Sequence, residues 1–334
     1  MIVANLYHIK STNGLYFYGL DYLRENIDLI TTVLVRPELE LHFRNAMPAV
    51  KVVACSFKQY LAEIVSAIFR ADLIYTPTPH PLPLITRQWI VLHDAYPFEV
   101  GPKSKLKLFL LRWSLALSNC RVGYINRSEA LPFVLSLGVA SKRLFFAPNR
   151  FPEPSFRVPQ IRIQSSVKTV GLLGTDSAKK NYDHLFCAVR AASLSSRLKF
   201  RVYGHDSIYF RTIQEKFSDI QITLVKSDEA SIDEFMSGVD VFASASDKEG
   251  FGRPIAFALL AGLPVELLDR PVFREFFTAG AGFHTDFEAL VEALVSSVEK
   301  NEAHTPYIPP TNVLDAYASA NEEIRILGSN TNIR

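Results

Sequence analysis

The chain has 334 residues, 48% hydrophobic and 21% charged, the composition of a globular protein long enough to bury two cores. No apolar run reaches the roughly eighteen residues of a bilayer span and no basic segment leads into an apolar one at the N-terminus, so a cytoplasmic protein is expected. Cys55, Cys120 and Cys187 lack disulfide or metal-ligand spacing and are expected as buried thiols. With a net charge of only +2 and no nucleic-acid motif, neither a metal nor a nucleic-acid partner is expected.

Along the chain, short β-branched runs alternate with helical periods. "MIVANLYHI", "LITTVLV", "VKVVAC", "DLIYTP", "WIVLHD", "RVGYIN" and "RLFFAP" read as strands, with amphipathic segments at 15–25, 57–70 and 128–137 between them. Residues 1–150 carry 17 Lys and Arg against 10 Asp and Glu, a local charge of +7, while the remainder stands at −5. Much of the excess lies in residues 103–118, where Lys103, Lys105, Lys107 and Arg112 flank Leu106, Phe109, Leu110 and Trp113. That pattern suits a helix lying on an anionic membrane, and equally a core helix with a solvated basic edge. Three prolines in residues 151–166 break the rhythm and mark a linker. The pattern then restarts with "VKTVGLLG", "LKFRVYG", "IQITLV", "VDVFASA" and "LPVELL", near-continuous apolar runs of the kind buried on both faces of a parallel sheet. The expected fold is α/β, with two doubly wound domains at 1–155 and 156–310. A last helix in 311–334 is expected to return to the first domain.

In such domains ligands lie at the carboxyl ends of the strands. The first loop places Gly14 at a helix start, a turn glycine or a point of close backbone approach to a ligand. His93 and Asp94 follow the fifth strand, as capping groups or as polar contacts to substrate. The loop "TDSAKKN" offers Thr175, Ser177, Lys179 and Lys180 before a helix, a possible phosphate site or a solvated lysine pair. The densest loop is "SDKEGFGRP". Gly250, Phe251 and Gly252 expose backbone, Pro254 starts a helix, and Glu249 suits the hydroxyls of a sugar, since beside bare phosphate it would repel.

"SDKEGFGRPIAFALLAGLPV" resembles the signature of the glycosyltransferase family 4 enzymes of GT-B architecture. "STNGLYFYGLDYL", "VLHD", the stretch ending in "APNR", "LLGTDSAKKN" and "RVYGHD" are similar, in order, to further segments of that family. The resemblance implies two Rossmann-like domains facing across a cleft, and retaining, metal-free transfer of a sugar from a nucleotide donor to a glycan or lipid-linked acceptor. It implies that Glu249 holds the donor sugar, that the Gly250–Gly252 backbone faces the sugar and diphosphate, and that Lys180 neutralises the leaving diphosphate. His93 would stand near the sugar, and Gly14 near the phosphates.

Three departures from the family accompany the likeness. Phe257 replaces the glutamate that binds ribose, Thr175 replaces an arginine of the phosphate loop, and Arg150 replaces the glycine of Pro-Asn-Gly, leaving Arg253 or Arg150 to supply the missing charge. Two readings stand at this stage: a transferase with an altered nucleotide clamp, acting in surface polysaccharide or glycolipid synthesis, and a catalytically silent relative that binds a glycan or a partner enzyme.

Overall fold

The computed structural model describes residues 1–158, 167–296 and 307–329. The chain divides into two compact units, Met1–Arg150 with Thr311–Arg334, and Phe151–Pro310. Strands β1 (Ile2–Asn5), β2 (Ile30–Val35), β3 (Lys51–Ala54), β4 (Leu73–Thr76), β5 (Gln88–Leu92), β6 (Arg121–Tyr124) and β7 (Leu144–Phe146) form the sheet of the first unit. Their order is β3-β2-β1-β4-β5-β6-β7. In the second unit β8 (Lys168–Leu173), β9 (Leu198–Gly204), β10 (Gln221–Lys226), β11 (Val241–Ser244), β12 (Val265–Leu268) and β13 (Gly282–His284) follow the order β10-β9-β8-β11-β12-β13. Every pairing is parallel: Val3 of β1 meets Thr32 on one side and Ile74 on the other, and Val170 of β8 meets Phe200 and Val241.

Burial explains the apolar runs. All residues of β1, β4 and β5 are buried, as helices on both faces require, whereas edge strand β10 alternates between exposed and partly buried residues. Strand β13 lacks a sequence signal because it is three residues long and begins on the last glycine of "AGAG", which has no strand pattern.

The boundary between units falls at Arg150, ahead of the expected 155. Phe151 packs its ring on Phe251 at 5.2 Å, Ser155 N–H donates to Asp233 at 3.1 Å, and Val158 N–H donates to Ala261 O at 2.8 Å. The first half of the expected linker is thus built into the second unit, and residues 159–166 lie outside the described residues. Of the cysteines, Cys55 and Cys120 are buried but Cys187 is exposed, since it sits on the outward side of the helix Tyr182–Ala191.

The helix Ser104–Leu117 buries Leu111 and Leu115 against β5 and β6. Leu106, Phe109, Leu110, Trp113 and Leu117 are instead exposed, at 41–63% of their full areas. The four apolar residues singled out in the sequence therefore face outward and not into the core. No helix among the described residues is long and apolar enough to cross a membrane.

The helix Thr311–Ser329 packs on the first unit. Arg325 pairs with Asp28 at 3.0 Å, Glu323 with Arg121 at 3.3 Å, and the buried Asn26 donates its Nδ2 to Asn321 Oδ1 at 2.7 Å. The surface pairs contribute little, but the buried amide pair is desolvated and removal of one partner is costly. Asn321→Ala is expected to destabilise the protein by about 1–3 kcal/mol, read as a lower urea midpoint at unchanged slope. An unshifted midpoint would show that the last helix is not energetically tied to the first unit.

Candidate functional site

Strand order reverses between β8 and β11, so their carboxyl ends open the crevice in which a doubly wound sheet receives its ligand. β8 runs into Gly174, whose φ of +96° is left-handed; a Cβ there would approach Lys180 Cε to 2.5 Å. Glycine thus sets the turn and lets the lysine pass over it. Two bonds join the loop after β8 to the loop after β11: Asn181 Nδ2 donates to Ala245 O at 2.9 Å, and Asp247 N–H donates to Lys179 O at 3.0 Å.

On this platform Lys180 Nζ meets Glu249 Oε1 at 2.6 Å, with side chains 14% and 20% exposed. Burial works to raise the Glu249 pKa, but the charges of Lys180 and Lys179 outweigh it, and the carboxyl is held below its usual range. Glu249 is therefore ionised at neutral pH. Ser246 Oγ is buried at the same strand end without a hydrogen bond of good geometry, yet close enough to favour the charged form of Glu249. Gly252 has φ +91°, and a Cβ on it would come within 2.8 Å of Ile255 Cδ1, so this second glycine is also fixed by its surroundings. Between the glycines, Phe251 is 3% exposed and packs on Phe276 at 4.8 Å. Its side chain anchors the loop to the core. Arg253 and Pro254 open the helix Arg253–Leu260, which no side chain caps, so its dipole still favours an anion.

Two sequence assignments are revised by the geometry. Thr175 is 2% exposed and donates its hydroxyl to His205 O at 2.6 Å, in space that exists because Gly204 has no Cβ. Its side chain latches the end of β8 to the residue after β9, so the hydroxyl is spent within the fold. Phe257 is 7% exposed and packs near Phe156, so it closes a hydrophobic layer where the resemblance placed a ribose contact. Arg150 belongs to the first unit, where it pairs with Glu25 at 3.4 Å.

In the first unit Gly14 begins the helix Gly14–Glu25, exposed, with open space where a Cβ would lie. Asn13 caps that helix, its side chain accepting from the Leu15 and Tyr16 amides. His93 follows β5; its Nε2 donates to Pro77 O at 3.0 Å and its ring meets Tyr18 edge-on at 4.5 Å. Burial lowers its pKa to about 4, partly opposed by the Pro77 bond, so it is neutral with the free nitrogen at Nδ1. Among the described residues no three His, Cys, Asp or Glu side chains are grouped as metal ligands would be.

Sequence reasoning passed over Asn181 and Ser246, although both flank residues it chose. It also passed over His8 and His80, which the fold brings face to face at the carboxyl ends of β1 and β4.

Two parallel doubly wound units of this order define a chain of the GT-B fold. Residues 157–307, nearly the whole second unit, match the family described as "Glycosyl transferases group 1". The chain is similar in structure to Anabaena HepE, solved with UDP and glucose (TM-score 0.70, 15% identity, 98% of this chain and 99% of that one). It is likewise similar to WaaG, a glycosyltransferase involved in lipopolysaccharide biosynthesis (0.61, 15%, 100% and 96%). A third similar structure is sucrose-phosphate synthase from Thermosynechococcus elongatus (0.67, 13%, 98% and 94%). No curated protein matches the chain in sequence.

Thr175→Val removes the bond to the His205 carbonyl and is expected to cost about 0.5–1.5 kcal/mol in chemical denaturation. Donor affinity at temperatures where the variant stays folded is expected to be unchanged; a tenfold loss would return Thr175 to the ligand.

Proposed function

We propose that the protein is a retaining, metal-independent glycosyltransferase that moves a sugar from a nucleotide donor to a hydroxyl of a glycan or lipid-linked acceptor. The observation that carries the reading is the Lys180–Glu249 pair at the strand reversal of the unit that matches the group 1 family. A carboxylate and an ammonium in contact are matched to a ligand that is hydroxyl-rich at one end and anionic at the other. As the donor enters, Glu249 exchanges Lys180 for sugar hydroxyls and Lys180 turns to the diphosphate. When the glycosidic bond breaks, negative charge grows on the leaving diphosphate. Lys180 and the uncapped helix at Arg253 meet it without a metal. The acceptor hydroxyl attacks from the leaving-group face and passes its proton to that oxygen, so retention needs no enzyme nucleophile. His93, held neutral, offers a hydrogen bond and not a charge.

Thermal shift against nucleoside diphosphates and nucleotide sugars tests the reading, because specific binding raises apparent stability by mass action. Glu249→Gln is expected to keep nucleoside diphosphate binding, to weaken the gain that the sugar adds, and to lower turnover ~10²-fold. A chain stabilised by no nucleotide, with Glu249→Gln indistinguishable from wild type, would instead be a silent relative.

We further propose that it works at the cytoplasmic face of an anionic membrane. The crossovers β3 to β4 and β5 to β6 run the same way across the sheet, so right-handedness places the helices Phe57–Arg70 and Ser104–Leu117 on one face of the first unit. Phe57, Leu61, Val65 and Phe69 stand exposed on one, and the Leu106–Leu117 stripe on the other, among exposed Lys58, Lys103, Lys105, Lys107 and Arg112. Trp89 is fully buried and Trp113 is 48% exposed, so Trp113 reports the contact. Its emission is expected to shift to the blue with phosphatidylglycerol vesicles and not with phosphatidylcholine ones. An unshifted spectrum, or a shift that survives Trp113→Phe, would refute this face as the docking surface.

A further inference from the structure

In the first unit the strand order reverses between β1 and β4, and the residues just beyond these strands form a cluster that the donor chemistry does not use. The rings of His8 and His80 stack at 4.0 Å and 8°. Tyr60 OH lies 3.4 Å from His8 Nε2 and itself accepts from Asn5 Nδ2 at 3.2 Å. With the Tyr60 proton directed at His8 Nε2, the His8 Nδ1–H is a free donor. Arg36, at the carboxyl end of β2, donates Nε to Tyr7 O at 3.0 Å and lies 4.9 Å over the Tyr7 ring, which leaves the fork of its guanidinium unspent. Arg36 forms no ion pair among the described residues.

The electrostatics of this cluster are one-sided. Burial, then His80, then Arg36 drive the His8 pKa down to about 3; burial and Lys107 drive that of His80 to about 4. No carboxylate acts on either ring. Two buried imidazoles that stay neutral therefore lie under the field of a guanidinium and an ammonium, a positive potential that an incoming negative charge would lower. The arrangement also differs from the second unit, where the cation at the corresponding strand edge already holds a carboxylate.

We infer that Arg36, His8 and His80, with Lys107 behind them, form a subsite for an anionic group, phosphoryl or carboxylate, carried by the sugar acceptor. The assignment of that group to the acceptor rests on the transferase reading; the existence of the anion site does not. Arg36 supplies the planar fork that such oxygens fit, and the His8 Nδ1–H supplies a neutral donor. Lys107 lies on the basic helix with the exposed apolar stripe, so the subsite adjoins the surface proposed to meet anionic lipid, where an acceptor with a charged head would be presented.

The test is histidine ring NMR on the full chain at pH 6.5, with His8 and His80 resonances assigned through His8→Gln and His80→Gln. Titration with inorganic phosphate, or separately with glucuronate, is expected to move both resonances saturably. Arg36→Gln is expected to raise the half-saturating concentration at least tenfold, while Lys180→Met in the second unit leaves it unchanged. The anion that acts at the lower concentration distinguishes a phosphorylated from an acidic-sugar acceptor. Resonances unmoved by both anions, or moved equally in Arg36→Gln, would overturn the inference. No nucleotide is needed, so a chain without transferase activity would still give the signal, and an active transferase with a neutral acceptor would not.

Discussion

Parallel pairing is the constraint on which the rest of the structure depends. Parallel neighbours cannot be joined by a tight turn, so each strand must be followed by a crossover, and every carboxyl end falls on the same edge of its sheet. Where the winding changes direction, the loops on either side of the reversal diverge and leave a crevice. In the second unit the diverging loops follow β8 and β11, and the residues with chemistry to offer are found there. In the first unit they follow β1 and β4, and the paired histidines are found there.

The Lys180–Glu249 pair illustrates how such a crevice is kept ready. Two largely buried charges are costly to desolvate, and either alone would be destabilising, so each secures the other in the empty protein. Gly174 clears the path for the lysine, Gly252 sets the turn into the helix, and Phe251 nails the loop between them to the core. A ligand that replaces both halves of the pair at once leaves no charge uncompensated. A ligand that satisfies only one half would strand the other, so the pair selects for ligands with two chemically unlike ends.

Fold was legible in the sequence because both sheets are covered on both faces, and such strands announce themselves as continuous apolar runs. The loop carrying Glu249 was legible because glycine, proline and a carboxylate at fixed spacing have few other uses. Orientation was not. Thr175 reads as a phosphate contact until Gly204 is seen to make room for it to turn inward, and Phe257 reads as a site residue until Phe156 is seen to cover it. The exposed apolar stripe of Ser104–Leu117 could not be told from a core face by periodicity, since both faces of that helix are apolar. His8 and His80 are separated by 72 positions, and only the adjacency of β1 and β4 brings them together, so no local motif could have marked them.

The charge asymmetry between the halves now has a physical account. In the second unit, Lys180, Arg190, Arg211, Lys216, Lys226, Arg270 and Arg274 are each bound to a carboxylate, as are Arg44, Arg70, Arg121, Arg150 and Arg325 of the first. In the first unit, excess cations concentrate along residues 103–117, with Arg36 at the end of β2. There they flank exposed apolar side chains or press on neutral histidines. A fold gains no stability from like charges gathered without partners, and it loses some through their repulsion. Cations kept unpaired at one strand edge and along one helix face are therefore best explained by partners from outside the chain that carry the opposite charge.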